Sequence, residues 1–320
     1  MLDIDDERVL AGFKRARERR VTLRANTLKA SAGSISETLD RAKIAYERVP
    51  WYEDAFVLTE ARENDVRKLD IYQNGSVYLQ SLSSMLPPLV LRPQAGADVL
   101  DMCAAPGGKT SQIAALTGNA AHLTACEMST PRAEKLAYNL DKLGVSNINI
   151  MRTDARRLDE FFSFDQILLD APCTGIGTLR AGDEKAEGRI TPQLLAKVTK
   201  SQKALLDRAL SVLKPGGTLV YSTCSVLEQE NETQVRCALK RHSTCEIVPL
   251  VLGEAPMDDT TDDTKPSPIA LADADEGPLA IPILDNTMPG TLTVAPTEFY
   301  EGFFVAVIRK KERSARKHRH

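Results

Sequence analysis

The segment Val99–Thr110, with the sequence VLDMCAAPGGKT, constrains the fold of this chain more than any other stretch. It begins as an apolar run that is short enough to be one buried parallel strand. It then passes through small residues into Lys109–Leu116, whose apolar spacing predicts a helix. A strand that turns into a helix in this way presents backbone N–H groups and the positive end of a helix dipole to a ligand. The segment therefore predicts a ligand site at the carboxyl edge of a parallel sheet.

Two phosphate-binding patterns fail at this segment. The pattern GxxxxGK followed by Ser or Thr requires a glycine where Cys103 stands, although Gly108-Lys109-Thr110 supplies its end. The dinucleotide pattern GxGxxG is also absent. A third possible ligand is an adenosyl group without a phosphate. Its ribose hydroxyls need an acidic partner, and Glu127 supplies one at the end of the short predicted strand His122–Glu127. The alternative is a glycine turn with a purely structural role.

Composition narrows the class of protein. The 320 residues suffice for one large or two modest domains, and 42% hydrophobic content is ordinary for a soluble globular protein. The apolar runs are a few residues long, far short of the roughly 18 needed to span a membrane. The N-terminal MLDIDDER lacks the apolar core of a secretory signal, and six cysteines without a CxxC pair argue against a disulfide scaffold or a zinc ribbon. We expect a reduced, cytoplasmic protein with no membrane segment and no metal site.

The net charge of −3 hides an uneven distribution of charged residues. Lys14–Arg24 carries six Lys or Arg against one Glu, and Arg309–His320 carries seven against one. Glu254–Asp285, in contrast, carries nine Asp or Glu against one Lys. Basic segments on a nominally acidic protein can contact a phosphate backbone, and the alternative is two solvated runs of charge.

The first 92 residues predict a small α+β unit. Leu2–Arg19 has the spacing of an amphipathic helix, and Arg20–Leu28 and Tyr46–Leu58 are strand-like. Ser34 with Glu37 fits a capping box at the start of a second helix that runs to Ala45. In the first helix one side is apolar: Val9, Leu10 and Phe13. Further along, an Asn-Gly turn between short alternating runs predicts a hairpin over Asp70–Ser84. The segment Met85–Leu91 then leads into the core strand.

From Asp98 onward the chain alternates strands and helices, which is typical of a parallel α/β sheet. The predicted strands are Asp98–Met102, His122–Glu127, Asn147–Met151, Phe164–Asp170, Thr218–Thr223, Thr244–Val251 and Gly302–Ile308. The predicted helices are Lys109–Leu116, Pro131–Leu143 after a Thr130 cap, and Pro192–Leu213, which Lys214-Pro215-Gly216-Gly217 stops before the next strand. We expect a mobile acidic loop over 254–290, centred on Met257–Asn286, and a basic tail over 311–320.

Two cysteines follow predicted strands directly. Cys173 stands in Asp170-Ala171-Pro172-Cys173, and Cys224 in Ser222-Thr223-Cys224-Ser225. Because ligands bind outside the carboxyl ends of parallel strands, both thiols should face the crevice next to Val99–Thr110. The other cysteines are expected to be small apolar residues of the core: Cys103, Cys126, Cys237 and Cys245.

These motifs resemble the RNA cytosine-5 methyltransferases of the RsmB-like, Nop/Sun type. The resemblance rests on three segments in order and spacing: DMCAAPGGKT, LLDAPCTGIGT and GGTLVYSTCS. It extends to RANTLKAS, VYLQSLSSMLPPLVL and EGFFVAVIRK, and so covers nearly the whole chain apart from the first residues, the acidic loop and the tail. It implies an α/β fold with a Rossmann-like class I methyltransferase sheet over 93–310, preceded by an RRM-like RNA-contacting unit over 1–92.

The resemblance also implies a mechanism that needs two thiols. A thiolate that adds to C6 of cytosine makes C5 nucleophilic, and a base must then remove the C5 proton so that the thiolate can leave. The family pattern makes Cys224 the nucleophile and gives Cys173 the release step. It places Asp170 near N3 of the ring and beside the methionine part of the cofactor. The sequence alone does not decide which cysteine attacks, since DNA cytosine-5 methyltransferases use the cysteine of the Pro-Cys element.

The cofactor that the resemblance implies is S-adenosylmethionine. Glu127 would hold the ribose hydroxyls, Asp154 would meet the adenine amino group, and Arg132 would lie near the cofactor. The alternatives are a surface charge for Arg132 and a helix cap for Asp154. The full set of implied cofactor residues is Cys103, Ala104, Ala105, Pro106, Gly107, Gly108, Lys109, Glu127, Arg132, Asp154 and Asp170.

The implied partner is RNA, either ribosomal or transfer RNA, with the target cytidine in a loop or flipped out of its helix. Arg15–Arg24 and the basic tail are the candidate contacts with the RNA backbone. We expect a monomer. The alternatives are a non-catalytic RNA-binding or ribosome-assembly factor on the same fold, and a DNA or protein methyltransferase. Both cysteines and the three acidic positions are present, which disfavours an inactive enzyme.

Overall fold

The computed structural model describes residues 4–253, 267–271 and 277–312. Its N-terminal part is a four-stranded antiparallel sheet of order β2-β3-β1-β4, flanked by helices. The elements are α1 (Glu7–Arg15), β1 (Val21–Ala25), α2 (Ala32–Arg41), β2 (Tyr46–Arg48), β3 (Ala55–Leu58), α3 (Glu63–Arg67), α4 (Asp70–Gln73), β4 (Val77–Leu79) and α5 (Leu82–Leu91). A short 3-10 turn, Ala16–Glu18, follows α1.

The starts of the first two helices differ from the sequence prediction. Helix α1 begins at Glu7 because the Asp6 carboxylate accepts a hydrogen bond from the Arg8 N–H. Val9 and Phe13 are buried as predicted, whereas Leu10 is 39% exposed. The capping box at Ser34 was wrong, since the cap of α2 is Ser31, whose hydroxyl accepts from the Ser34 N–H.

The predicted Asp70–Ser84 hairpin is also wrong. Residues Asp70–Gln73 form a helical turn that ends at Asn74, and Gly75 adopts a φ of +79°. Strand β4 then pairs with β1 instead of a hairpin partner, because Val77 completes the core of the N-terminal sheet. The segment Met85–Leu91 belongs to α5, which is apolar on most sides because it packs against the main sheet as well.

The main sheet has nine strands in the order β13-β14-β15-β9-β8-β5-β6-β7, with β10 paired to β15. Strands β5 to β9 are parallel, and β15 runs antiparallel to β9. The elements are β5 (Asp98–Asp101), α6 (Gly108–Leu116), β6 (His122–Cys126), α7 (Thr130–Lys142), β7 (Ile148–Met151), β8 (Phe164–Asp170), α8 (Glu184–Glu187), α9 (Pro192–Val212), β9 (Leu213–Thr223), α10 (Glu232–Arg241), β10 (Cys245–Val248), β11 (Leu250–Leu252), β12 (Ile269–Leu271), β13 (Ile283–Leu284), β14 (Leu292–Val294) and β15 (Phe303–Lys310).

This strand order places the crevice. The chain proceeds from β5 outward to β6 and β7, and then returns to the other side of β5 with β8 and β9. The order therefore reverses at the β5–β8 pair, and ligands of open α/β sheets bind at the carboxyl ends of the strands at such a point. The five predicted parallel strands are confirmed, and the α/β fold with them.

Three boundaries in the main domain were predicted wrongly. Helix α7 begins at Thr130 rather than after it, since the Glu127 carboxylate accepts a hydrogen bond from the Ser129 N–H at the turn. Strand β9 begins at Leu213, so Lys214–Gly217 lies within a strand instead of before it. The predicted strand Thr244–Val251 is two strands separated by Pro249, because β10 pairs with β15 and β11 with β12.

The acidic loop predicted over 254–290 is only partly described, since 254–266 and 272–276 lie outside the described residues. Where it is described, the stretch contains short strands instead of loop throughout, and its mobility remains a prediction. Strands β12 and β13 pair with neighbours. Four apolar residues of the stretch are buried, namely Leu271, Leu279, Ile281 and Leu284, whereas Ile283 is 43% exposed. Of the predicted basic tail, 313–320 lies outside the described residues.

Two arginines of the predicted RNA-contacting segment are buried instead. Arg24 is fully buried, where it donates to Gln80 Oε1 and Ser111 Oγ, both at 3.0 Å. The side chain of Arg19 is 7% exposed and lies 3.6 Å from the Glu301 carboxylate. Arg24 therefore ties the N-terminal sheet to α6, the helix that follows the Val99–Thr110 segment. Neither arginine is free to meet a phosphate backbone.

We expect Arg24→Met to lower the free energy of unfolding by about 2 kcal/mol, because Gln80 Oε1 and Ser111 Oγ lose a buried donor. Urea unfolding followed by circular dichroism measures the change. The exposed Lys14→Met is the matched control, with an expected change within about 0.5 kcal/mol. Equal stability of Arg24→Met and the unmodified chain would contradict the role of Arg24 as a tie between the two parts.

Candidate active site

Two cavities meet at the carboxyl edge of the parallel strands. The first, here called the Glu127 cavity, measures about 290 Å³. The second, here called the Lys109 cavity, measures about 280 Å³. Four residues line both: Cys103, Ala105, Asp170 and Cys224. Each volume is close to the lower limit of roughly 300 Å³ that is typical of small-molecule sites. The edge therefore offers adjoining compartments for two different groups.

A buried carboxylate closes the loop between β5 and α6. Asp101 accepts from the Cys103 N–H at 3.3 Å and from Thr110 Oγ1 at 2.7 Å. Burial raises the pKa of Asp101 to about 6, although the Thr110 hydrogen bond opposes the shift. The two bonds join the ends of the loop, so its small residues are held against the cavities.

The predicted loop residues divide between the cavities. Cys103 and Ala105 line both of them. Four other loop residues line the Lys109 cavity but not the Glu127 cavity: Ala104, Pro106, Gly108 and Lys109. Gly107 lines neither, because it faces α7, where a Cβ would lie 3.2 Å from Leu136 and 3.3 Å from Leu140. Its φ of +109° and this close approach explain the glycine without a ligand contact.

Glu127, Arg132 and Asp154 all line the Glu127 cavity. The Glu127 side chain is 4% exposed, and Arg132 reaches both its carboxylate, at 3.2 Å, and the Ala105 carbonyl oxygen, at 2.9 Å. Arg132 is thus more than a surface charge, since it links Glu127 to the loop. Asp154 caps the 3-10 turn Ala155–Arg157 and pairs with Arg156 at 2.7 Å, which lowers the pKa of its carboxyl group. The predicted contacts of Glu127 and Asp154 with a nucleoside remain predictions.

A half-buried ion pair lies in the wall of the Lys109 cavity. Lys109 Nζ lies 2.7 Å from Asp170 Oδ2 and 2.7 Å from Ser84 Oγ. Asp170 Oδ1 accepts from Ser222 Oγ at 2.8 Å, so strand β9 fixes the other side of the carboxylate. Burial acts to lower the pKa of Lys109, but the charge and hydrogen bond of Asp170 outweigh it and the pKa is raised. Lys109 therefore remains a cation at neutral pH despite its burial.

The two strand-end cysteines are in contact. Cys173 Sγ lies 3.1 Å from Cys224 Sγ, and both are free thiols. The pKa of Cys173 is raised well above its usual value, first by the hydrogen bond with Cys224 and then by burial. Cys173 lines the Glu127 cavity, and Cys224 lines both cavities. The prediction that both thiols face one crevice is confirmed.

Sequence reasoning missed several residues of the site. The Lys109 cavity is also lined by Ser84, by Phe303 at the start of β15, and by Glu301 two residues before it. Glu230 is fully buried behind the two cysteines. No signal in the sequence marks Glu230, because Gln229–Glu232 has the composition of a solvated turn. In the described ranges, no three His, Cys, Asp or Glu side chains converge as metal ligands would, and no helix is long and apolar enough to cross a membrane.

The sheet order is that of a Rossmann-like class I methyltransferase. A crystal structure of a methyltransferase homologue from Pyrococcus horikoshii superimposes with a TM-score of 0.75 and 33% identity, over 95% of this chain and 90% of that one. The structure of NSun6 from Pyrococcus horikoshii with SFG has the same fold, with a TM-score of 0.75 and 21% identity over 96% of this chain and 94% of that one.

The chain belongs to the RsmB/F family of methyltransferases, because the family model described as 16S rRNA methyltransferase RsmB/F matches residues 88–309. This confirms the predicted family and, with it, S-adenosylmethionine as the cofactor. The ribosomal RNA small subunit methyltransferase F of Aeromonas salmonicida is 36% identical over 299 residues, which cover 91% of this chain. The chain spans 58% of the length of that relative, and a match to the corresponding protein of Shewanella oneidensis covers 46% of its length.

Proposed function

We propose that this chain transfers a methyl group from S-adenosylmethionine to C5 of a cytidine in ribosomal RNA through a covalent bond between Cys224 and C6. The observation that carries the proposal is the pair of thiols, 3.1 Å apart, where the two cavities meet. A nucleophile and a second group for proton removal are the two functions that C5 methylation of cytosine requires.

The residues of the Glu127 cavity fit S-adenosylmethionine. Glu127 is a buried carboxylate in the cavity wall, as an acceptor for two ribose hydroxyls must be. Asp154 supplies a second carboxylate, and Met102 and Leu205 supply apolar surface for an adenine ring. When bound, S-adenosylmethionine supplies an electrophilic methyl group. We place this methyl group toward Asp170 and Cys224, which line both cavities.

The Lys109 cavity suits the target base. Phe303 offers an aromatic surface, and the Asp170–Lys109 pair offers a charged edge. We place this pair beside N3 of cytosine, where positive charge supports addition at C6. Cys224 Sγ adds to C6 as a thiolate, and C5 takes the methyl group. Cys173 then gives its own proton to solvent, and its thiolate accepts the C5 proton as the bond between Cys224 and C6 breaks. A raised pKa suits Cys173 to this last step, since a thiol that holds its proton tightly is a stronger base once ionised.

The substrate that we favour is small-subunit ribosomal RNA rather than transfer RNA. The support is the description of the matching family and the names of the relatives from Aeromonas salmonicida and Shewanella oneidensis. We place the chain in the cytoplasm as a monomer.

A groove of exposed arginines is our candidate for the RNA backbone. It measures about 520 Å³ and lies between the N-terminal sheet and the loop after Thr178, which itself lines the Lys109 cavity. Its exposed arginines are Arg17, Arg20, Arg62 and Arg180. Within the predicted segment Arg15–Arg24, only the exposed arginines remain candidates for contact with the RNA backbone, because the side chains of Arg19 and Arg24 are buried.

We expect Arg62→Glu combined with Arg180→Glu to weaken RNA binding by at least about tenfold at low salt and to reduce the salt dependence of binding. Two phosphate-contacting charges are lost, and two repelling ones are gained. Fluorescence anisotropy with a labelled ribosomal RNA fragment across a salt series measures the effect. The control is the exposed Lys240→Glu on α10. Unchanged affinity and an unchanged salt slope would remove the groove from the RNA path.

Bisulfite sequencing of total RNA from cells with and without the gene tests the proposed function, because 5-methylcytosine resists bisulfite. We expect one or a few protected cytosines in small-subunit ribosomal RNA to lose protection in the deletion strain. The unmodified gene should restore protection and a Cys224→Ser copy should not. An unchanged pattern would favour the alternative of an RNA-binding or ribosome-assembly factor without methyltransferase activity.

A further inference from the structure

Glu230 is a fully buried carboxylate that accepts four hydrogen bonds. Its Oε1 accepts from the Thr174 N–H at 2.8 Å and from Gln202 Nε2 at 3.1 Å. Its Oε2 accepts from Thr174 Oγ1 at 2.6 Å and from Ser225 Oγ at 2.5 Å. Four donors on two oxygens leave no place for a proton, so the arrangement suits the ionised form.

The four bonds join the two cysteine loops. Thr174 directly follows Cys173, and Ser225 directly follows Cys224. Gln202 adds a further link, since its Nε2 also donates to the Pro172 carbonyl oxygen at 3.0 Å, next to Cys173. The Glu230 carboxylate therefore joins the side chains of the two loops, in addition to the backbone bonds from the Ala171 N–H to the Ser222 carbonyl and from the Gly177 N–H to the Cys224 carbonyl.

The hydroxyl groups that bind Glu230 cannot easily turn away from it. Ser225 Oγ accepts from the Leu227 N–H at 3.1 Å, and Thr174 Oγ1 accepts from the Ile176 N–H at 3.4 Å. Each hydroxyl therefore has its own proton left to donate to Glu230. The Tyr221 hydroxyl donates to the Glu230 carbonyl oxygen at 2.6 Å and anchors the same residue from the sheet. The geometry is that of a rigid clamp.

The charges around the two sulfur atoms are unequal. Glu230 is among the negative groups that raise the pKa of Cys173, and Lys109 is a cation whose pKa is raised in part by a negative charge on Cys224. Glu230 therefore opposes ionisation of Cys173, whose thiol keeps its proton. The S–H of Cys173 is then available as the donor in its 3.1 Å contact with Cys224 Sγ.

We propose that Glu230 is a positioning residue that holds the two thiols in contact and keeps Cys173 Sγ protonated, so that Cys224 is the thiol free to attack. This inference rests on the proposed function only in giving Cys224 the role of nucleophile. The contacts of Glu230 thus bear on a question that the sequence left open, namely which of the two cysteines attacks C6.

The test is the pH dependence of alkylation of each cysteine by iodoacetamide, with the sites resolved by mass spectrometry of the full chain without RNA or cofactor. We compare the unmodified chain with Glu230→Gln and with Glu228→Gln, a change of a half-exposed carboxylate two residues away. The groups that face Cys173 are Cys224, Glu230, Asp170 and Tyr221. Of these, only Glu230 changes in the test variant. The exposed Cys237 is a reference in every sample.

We expect Cys224 to react before Cys173 in the unmodified chain and in Glu228→Gln. In Glu230→Gln the midpoint for Cys173 should fall by about one pH unit, and the preference for Cys224 should shrink about tenfold. An unchanged midpoint with an unchanged order would overturn the proposal. Since neither RNA nor S-adenosylmethionine is present, these results are independent of whether the chain methylates RNA.

Ser225→Ala is the second variant, for the case that Glu230→Gln does not fold. It removes one bond of the clamp and keeps the charge. We expect an unmoved alkylation midpoint for Cys173, together with a several-fold slower disulfide between Cys173 and Cys224 under diamide, which takes up the two thiol hydrogens as the bond forms. Disulfide formation at the unmodified rate would overturn the positioning role.

Discussion

Cys224→Ser should lower the rate of methyl transfer to ribosomal RNA by at least about 10³-fold while leaving the fold intact. A serine hydroxyl stays protonated at neutral pH, so the group that must add to C6 is lost. The position is half-buried beside Cys173, and a hydroxyl fits where a thiol stood. Transfer of a radiolabelled methyl group from S-adenosylmethionine to small-subunit ribosomal RNA measures the effect.

The matched control is Cys237→Ser, a change of an exposed cysteine on α10. It should retain the full rate, which separates the loss of the nucleophile from the general removal of a thiol. Substantial activity in Cys224→Ser would show that another group attacks C6. Cys173 would then be the first candidate, as in the DNA enzymes that use the cysteine of the Pro-Cys element.

Cys173→Ala should convert the enzyme into a trap for its own substrate. Addition of Cys224 and transfer of the methyl group proceed, but the group that takes the C5 proton is missing, so the bond between Cys224 and C6 persists. We expect turnover to fall by at least about 10²-fold. In a denaturing gel, a band of protein bound to RNA should appear that ribonuclease removes.

The double variant Cys173→Ala, Cys224→Ser is the control for the trap and should give no band. Omitting S-adenosylmethionine is a second check, because the bond between Cys224 and C6 persists only after C5 has received the methyl group. A Cys173→Ala variant with full turnover and no adduct would overturn the scheme of two cysteines, since the second thiol would then have no function in the reaction.

The parallel strands could be predicted because they are short apolar runs between helical segments, and Phe164–Asp170 was predicted to the residue. The crevice followed from them, since carboxyl ends of parallel strands share one edge. The cysteines at the ends of β8 and β9 could be placed together for the same reason, although their contact at 3.1 Å needed the structure.

The failures come from tertiary contacts that local patterns do not contain. Asn74-Gly75 has the sequence of a hairpin turn, but β4 finds its partner in β1, far away in the chain. The basic run Arg15–Arg24 has the composition of a solvated surface, yet Arg24 is buried because Gln80 and Ser111 satisfy its guanidinium group. The acidic segment before β14 was expected to have little to bury, but several apolar residues of its described part pack in the core.

The residues of the candidate site also divide into those that the sequence marks and those that only tertiary contacts reveal. Residues in motifs, such as Lys109, Asp170 and Cys224, could be chosen from the sequence because their chemistry and spacing mark them. Glu230 could not, since its importance lies in the donors that other segments bring to it.

The most direct test of the central claim is release of tritium from ribosomal RNA that carries [5-³H]cytidine, incubated with the purified chain and S-adenosylmethionine. Methylation at C5 displaces the C5 hydrogen, so we predict cofactor-dependent tritium in water, equal to the number of methyl groups gained and absent with Cys224→Ser. Methyl groups gained without release of tritium would contradict C5 as the target, and neither gain nor release on any small-subunit ribosomal RNA would contradict the proposed activity itself.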